Sequence, residues 1–246
     1  MKTFSTLALT VLLFTACKKN APTPATSPVD FTEAAYTKPG SYDADGKPNN
    51  MTFEQVTTEL RNYLHTSLPE KTDLRISNPE LLSSKAIADI KITKKSSVSI
   101  TFVFQGTSWS NAISFYTYPS NNPPASAKDI KQITHVFPNA GGYTTLKAGD
   151  KVSIGTFEAG TSIGFVLMKN AWDPATKSLN NNVVHFCSND ILNPETDPSL
   201  KKHAVLMNYE TEGKVLIGFE DVDRTDPACD HDFNDVVVYA TVTPAP

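Results

Sequence analysis

Cysteine is scarce in this chain, with three among 246 residues at positions 17, 187 and 229. Once Cys17 is otherwise engaged, the remaining pair can form one bridge at most. Long apolar runs are missing too. The most apolar stretch, Phe4 to Phe14, falls well short of the roughly 20 residues a membrane-crossing helix needs. Positive charge is not in excess, since 22 Lys and Arg face 26 Asp and Glu for a net −4. No basic face points to nucleic acid. No segment repeats at a fixed period, which excludes a propeller or a solenoid. A serine nucleophile elbow is also lacking, because Gly106-Thr107-Ser108-Trp109-Ser110 has no glycine two residues after Ser108. His65, His135, His185 and His203 stand outside any catalytic pattern.

What is present begins with a targeting segment over residues 1–16: Lys2, the apolar Phe4 to Phe14, then the small Thr15-Ala16 before Cys17. Phe14-Thr15-Ala16-Cys17 resembles a bacterial lipobox, with Phe in place of the usual Leu. It predicts acylation of Cys17 and a lipid anchor in the bacterial envelope, at the outer membrane. Residues 17–50 carry Pro22, Pro24, Pro28, Pro39 and Pro48 among small polar residues and read as a semi-extended tether. Asp43-Ala44-Asp45-Gly46 within it reads as a turn rather than a calcium loop.

Residues 51–246 read as one β domain. Thr52 to Gln55 has the form of a capping box, and Phe53, Val56, Leu60 and Leu64 recur at helical spacing, predicting one helix over 53–66. Beyond Pro69 the period changes to two. Ala88 to Phe104 reads as a hairpin turning at Lys94-Lys95-Ser96. Further strands are expected at 112–118, 131–137, 151–157, 162–168, 182–187, 202–209, 214–219 and 236–242. About ten antiparallel strands with a single N-terminal helix make this mainly β, a jelly-roll-like sandwich.

The charge is concentrated near the end. Glu220, Asp221, Asp223, Asp226, Asp230, Asp232 and Asp235 fall within sixteen residues beside one basic residue, Arg224. Acids packed so densely repel, so either water solvates them or a cation offsets them. Along an extended chain Asp230, Asp232 and Asn234 share a side, while His231 and Phe233 face the other. With Glu220, Asp221 and Asp235 these residues form a candidate calcium set, purely oxygen in its donors. A solvated hairpin tip is the competing reading. For Cys187 and Cys229 two readings also stand: a disulfide clamping the acidic loop, or two buried free thiols. Trp109, Tyr116, Tyr118 and Trp172 are candidates for a sugar-stacking platform, with core packing as the alternative.

Gly218-Phe219-Glu220-Asp221 followed by Asp230-His231-Asp232-Phe233-Asn234-Asp235-Val236-Val237 resembles the terminal signature of an uncharacterised domain family. That family occurs in bacterial surface lipoproteins and adhesin-like exported proteins, and LruC-type lipoproteins are similar. Asn111 to Pro119, Leu146 to Asp150, Gly160 to Phe165 and Lys202-His203 add weaker matches. The resemblance implies an exported β-rich domain without enzyme activity. Together these readings predict a lipid-anchored, calcium-binding interaction or adhesion module for glycan or protein. The opposing reading is an envelope- or glycan-directed hydrolase using the terminal carboxylates.

Overall fold

The computed structural model describes residues 31–84 and 86–245. The expected targeting segment, Cys17 and the first part of the tether lie outside them. No helix among the described residues is long and apolar enough to cross a membrane. The chain runs through β1 (Ala35–Thr37), β2 (Thr52–Phe53), helix α1 (Thr58–Ser67), the single turn α2 (Leu74–Ser77), β3 (Ile90–Lys91), β4 (Ser96–Gln105) and β5 (Ala112–Pro119). It continues through β6 (Gln132–Phe137), β7 (Asp150–Phe157), β8 (Thr161–Met168), β9 (Trp172–Asp173), β10 (Ser178–Leu179) and β11 (His185–Cys187). The last strands are β12 (Ala204–Tyr209), β13 (Lys214–Phe219) and β14 (Val236–Pro244).

The architecture is mainly β and sandwich-like. One sheet has the order β1-β6-β5-β8-β11, with β3 also on β8; the other has the order β12-β13-β14-β4-β7-β2. All pairings are antiparallel except β1 with β6. Alternation in the strands sends one set of side chains inward. Val98, Ile100 and Phe102 of β4 meet Ile113 and Phe115 of β5 and Phe165 and Leu167 of β8 in the central core.

Both outer faces are covered as well. Over the second sheet, α1 lays Leu60 and Leu64, with Leu68 and Leu74 beyond it, onto Val205, Leu216, Val237 and Tyr239. Over the first, Phe31 and the segment around Tyr36 pack with Tyr116, Ile133 and Val166. Burial on both faces explains why strands such as Phe165 to Met168 are apolar without alternation.

Three expectations are corrected here. The helix begins at Thr58, not at 53: Thr57 is its cap, its hydroxyl accepting from Leu60 N at 3.1 Å. Phe53 lies exposed in β2. Ala88 to Phe104 is not a hairpin, because β3 pairs with β8 while β4 pairs with β14 and β7 in the opposite sheet. Residues 31–50 belong to the folded body rather than the tether, with Ala35–Thr37 adding a parallel strand beside β6. Asp43 forms the expected turn, accepting from the N–H of Asp45 and of Lys47 at 2.9 Å each.

Candidate metal centre

Register places the acidic loop. Phe219 at the end of β13 pairs with Val236 at the start of β14, so residues 220–235 leave and return at one point. Asp235 N–H donates to Phe219 O (3.1 Å), and Asp221 N–H donates to the Asp235 carboxylate (2.7 Å). Glu220 and Asp235 thus flank the mouth of the loop. Gly218 allows its return path, since a Cβ there would lie 2.4 Å from the Phe233 carbonyl oxygen and 2.6 Å from Leu68 Cδ1.

The loop interior is not extended. His231 and Phe233 take positive φ, 60° and 58°, so the period-two argument does not describe it. Asp230 and Asp232 still meet, at Glu220, whereas Asn234 turns its amide to Leu68 O. Phe233 is fully buried among Leu60, Leu64 and Val237, with the Arg224 guanidinium 5.1 Å from its ring centre. His231 turns to Cys229 Sγ and Arg224 Nε, each 3.2 Å from its Nδ1, and its carbonyl accepts from Leu74 N–H (3.0 Å).

Five of the seven acids converge. One carboxylate oxygen each from Glu220, Asp230 and Asp232, and likewise from Glu220, Asp221 and Asp235, lie within 4.8 Å of one another. Asp223 and Asp226 are excluded from this cluster; they cap turns, accepting from Thr225 N–H (2.8 Å) and Ala228 N–H (2.9 Å). Asn234 braces the loop, donating its amide to Leu68 O (3.3 Å) and its N–H to Asp232 (3.1 Å). Asp232 also accepts from Lys71 N–H (2.8 Å), which ties the loop to the segment after α1.

Glu220 and Asp221 are each only 1% exposed. Asn111 donates to one oxygen of Asp221 at 2.5 Å, yet Asp221 Oδ1 and Glu220 Oε2 have no hydrogen-bond partner. Burial pushes the carboxyls of Glu220, Asp221, Asp232 and Asp235 up from their ordinary range, and the charges of Asp221 and Glu220 push Asp235 further. Carboxylates that repel one another and keep buried oxygens without a donor, as Glu220 Oε2 and Asp221 Oδ1 do, are chemically matched to a hard cation.

Several supporting residues stand outside the expected ligand set. His203 and Glu195 form a fully buried pair at 2.5 Å, and His203 Nδ1 holds the Glu220 carbonyl at 3.0 Å. Its ring stacks on Phe186 with centres 3.8 Å apart. Arg224, 2% exposed, donates to Lys202 O at 3.0 Å. The two cysteines are free and buried, which corrects the disulfide alternative: Cys187 lies on β11 within the outer cluster of the first sheet, and Cys229 lies against His231. Burial pushes both thiols up, away from reactivity. The aromatic platform is not assembled. Tyr116 and Trp172 are buried, Tyr42 meets Trp172 edge-on, and exposed Trp109 has Lys169 Nζ 4.5 Å from its ring centre.

Residues 157–243 match the model of a domain of unknown function, DUF4114. That span runs from the end of β7 to β14 and contains the whole acidic loop. No curated protein and no solved structure matches the chain significantly.

Proposed function

We propose that this chain is an exported, lipid-anchored β-sandwich module that binds calcium through the loop at 220–235 and acts without catalysis, as an interaction or adhesion domain for a glycan or protein. The observation that carries the calcium reading is the pair of unpartnered oxygens, Glu220 Oε2 and Asp221 Oδ1, on side chains removed from water. An ionised carboxylate in such a place needs a counter-charge, and calcium supplies one while taking six to eight oxygen donors in flexible geometry. A softer metal has less to hold it, because Cys229 and His231 are engaged with each other and with Arg224.

Support for a bacterial envelope location comes from the lipobox-like start and from the resemblance of the terminal signature to LruC-type surface lipoproteins. Support for a non-catalytic role comes from access: Glu220 and Asp221 are buried. The cavities beside Tyr118, of about 630 and 650 Å³, are lined by none of these acids. One observation favours the hydrolase instead, namely that Glu220 and Asp235 are adjacent carboxyls pushed up in pKa, as in an acid–base pair.

Thermal melting separates these readings. Calcium raises the Tm of the whole chain, and replacing Asp232 and Asp235 by Ala lowers the Tm and removes the response. If the doubly substituted chain melted like the parent, with or without calcium, the structural-cation reading would fail. Glycan hydrolysis that survived chelation and vanished in Asp235→Ala would establish the hydrolase.

A further inference from the structure

We infer that the loop takes two calcium ions, bridged by Glu220. The inference rests on the calcium reading above and sharpens it. The five converging carboxylates do not form one ring. They fall into two sets, Glu220 with Asp221 and Asp235, and Glu220 with Asp230 and Asp232. Glu220 alone belongs to both. Donors around a calcium ion lie about 2.3 to 2.6 Å from it, so oxygens sharing one ion are separated by roughly 5 Å at most. Each set meets that limit, with its oxygens within 4.8 Å of one another. No set joins Asp221 or Asp235 to Asp230 or Asp232, so the carboxylates describe two coordination spheres meeting at one side chain.

The hydrogen bonds agree with this division. On the inner side, Asn111 and the Asp221 N–H each fix one oxygen, of Asp221 and Asp235 respectively, and Asp221 Oδ1 is left free. On the outer side, Lys71 and Asn234 N–H groups orient Asp232, and Asp230 is exposed to solvent. Between them Glu220 Oε2 has no hydrogen-bond partner, and Oε1 accepts weakly from the Val222 N–H at 3.4 Å. A carboxylate offers about four lone-pair sites, enough to bridge two ions.

Charge points the same way. The five carboxylates are balanced by two divalent ions together with the buried Arg224 guanidinium. A single ion leaves uncompensated negative charge in a site from which water is largely withdrawn. The inner ion, held by buried Glu220 and Asp221 with half-buried Asp235, is the tighter one, and the outer ion, reached through exposed Asp230, exchanges more readily.

Calcium binding to the whole chain, followed by equilibrium dialysis with the metal alone and by native mass spectrometry of the folded protein, tests this. The expected result is two ions per chain. Asp230→Ala, at an exposed position, removes that donor and reduces the count to one. One ion in the parent chain, or two in Asp230→Ala, overturns the bridged pair while leaving a single-ion clasp standing. No bound calcium in the parent chain overturns both.

Discussion

His135 and His185 show what surroundings do to single residues here. Phe31 stacks on His185 with ring centres 4.5 Å apart, Tyr36 stacks on His135 at 5.6 Å, and the Tyr36 hydroxyl donates to His185 Nε2 at 2.8 Å. Ser114 and Asn181 occupy the two nitrogens of His135 (2.9 and 3.1 Å), and Val183 O accepts from His185 Nδ1 (2.7 Å). Burial pushes both imidazoles down to about 4 from 6.5, with Lys38 and the neighbouring histidine adding to it. A histidine whose folded pKa is lowered contributes stability that is fully present above pH 6.5. That contribution is lost as the pH falls towards 4, because the unfolded chain takes up the proton first. His135→Gln removes one such group. Between pH 7 and 4.5 the parent should lose roughly 1 to 2 kcal/mol more unfolding free energy than the variant, as read by denaturant titration. Equal losses would contradict the assignment.

Gly218 offers a second residue-scale prediction. Its missing side chain admits the Phe233 carbonyl, which is backbone and cannot swing aside. Gly218→Ala should destabilise the chain by about 1 to 3 kcal/mol through overpacking and weaken its calcium response at the same time. The acids of the loop were legible in the sequence because clustered charge is visible one residue at a time. The positive φ of His231 and Phe233, the Glu195 partner of His203 and the role of Arg224 were not, since each depends on contacts that composition and spacing do not encode.

Among the elements, α1 shows both what was readable and what was missed. Val56, Leu60 and Leu64 gave the helical period, and all three are buried. The start was misplaced because Thr52 to Gln55 imitates a cap, whereas the side chain that bonds a helix N–H is Thr57. The same hydroxyl donates to Glu212 at 2.5 Å, anchoring the helix to the turn before β13. Leu64→Ala should cost about 2 to 5 kcal/mol, measured by chemical unfolding, because the leucine is fully buried against the outer face of the second sheet. A change of a few tenths would show that the helix is not held there. Of the strands from β5 onward, all but the two-residue β9 and β10 were legible to within a few residues, with β13 at its expected bounds. The error at 88–104 has a simple origin. Alternation reports that a strand has a buried face, and both β3 and β4 bury one in the central core; it does not report which sheet supplies the partner.

For the molecule as a whole, the acidic loop does more than join two strands. It is tied to the α1–α2 segment by Lys71 N–H on Asp232 and Leu74 N–H on His231 O. Gly106 N–H bonds Asp235 O at 2.9 Å, which links it to β4. Asn111 joins it to β5 in the other sheet. Both sheets and the helical layer therefore meet at the carboxylates. The sandwich class was legible from strand number and turn spacing, but not the covering of both outer faces or the inclusion of residues 31–50. Those depend on where distant segments dock. A cation at that meeting point, as proposed, would close the junction. Amide hydrogen exchange with and without calcium tests it most directly. Calcium should slow exchange at Asp221, Asn234 and Asp235, and at Lys71 and Leu74 across the junction, with little change in the central strands β5 and β8. Identical exchange at those five amides in saturating calcium and in chelator would contradict it.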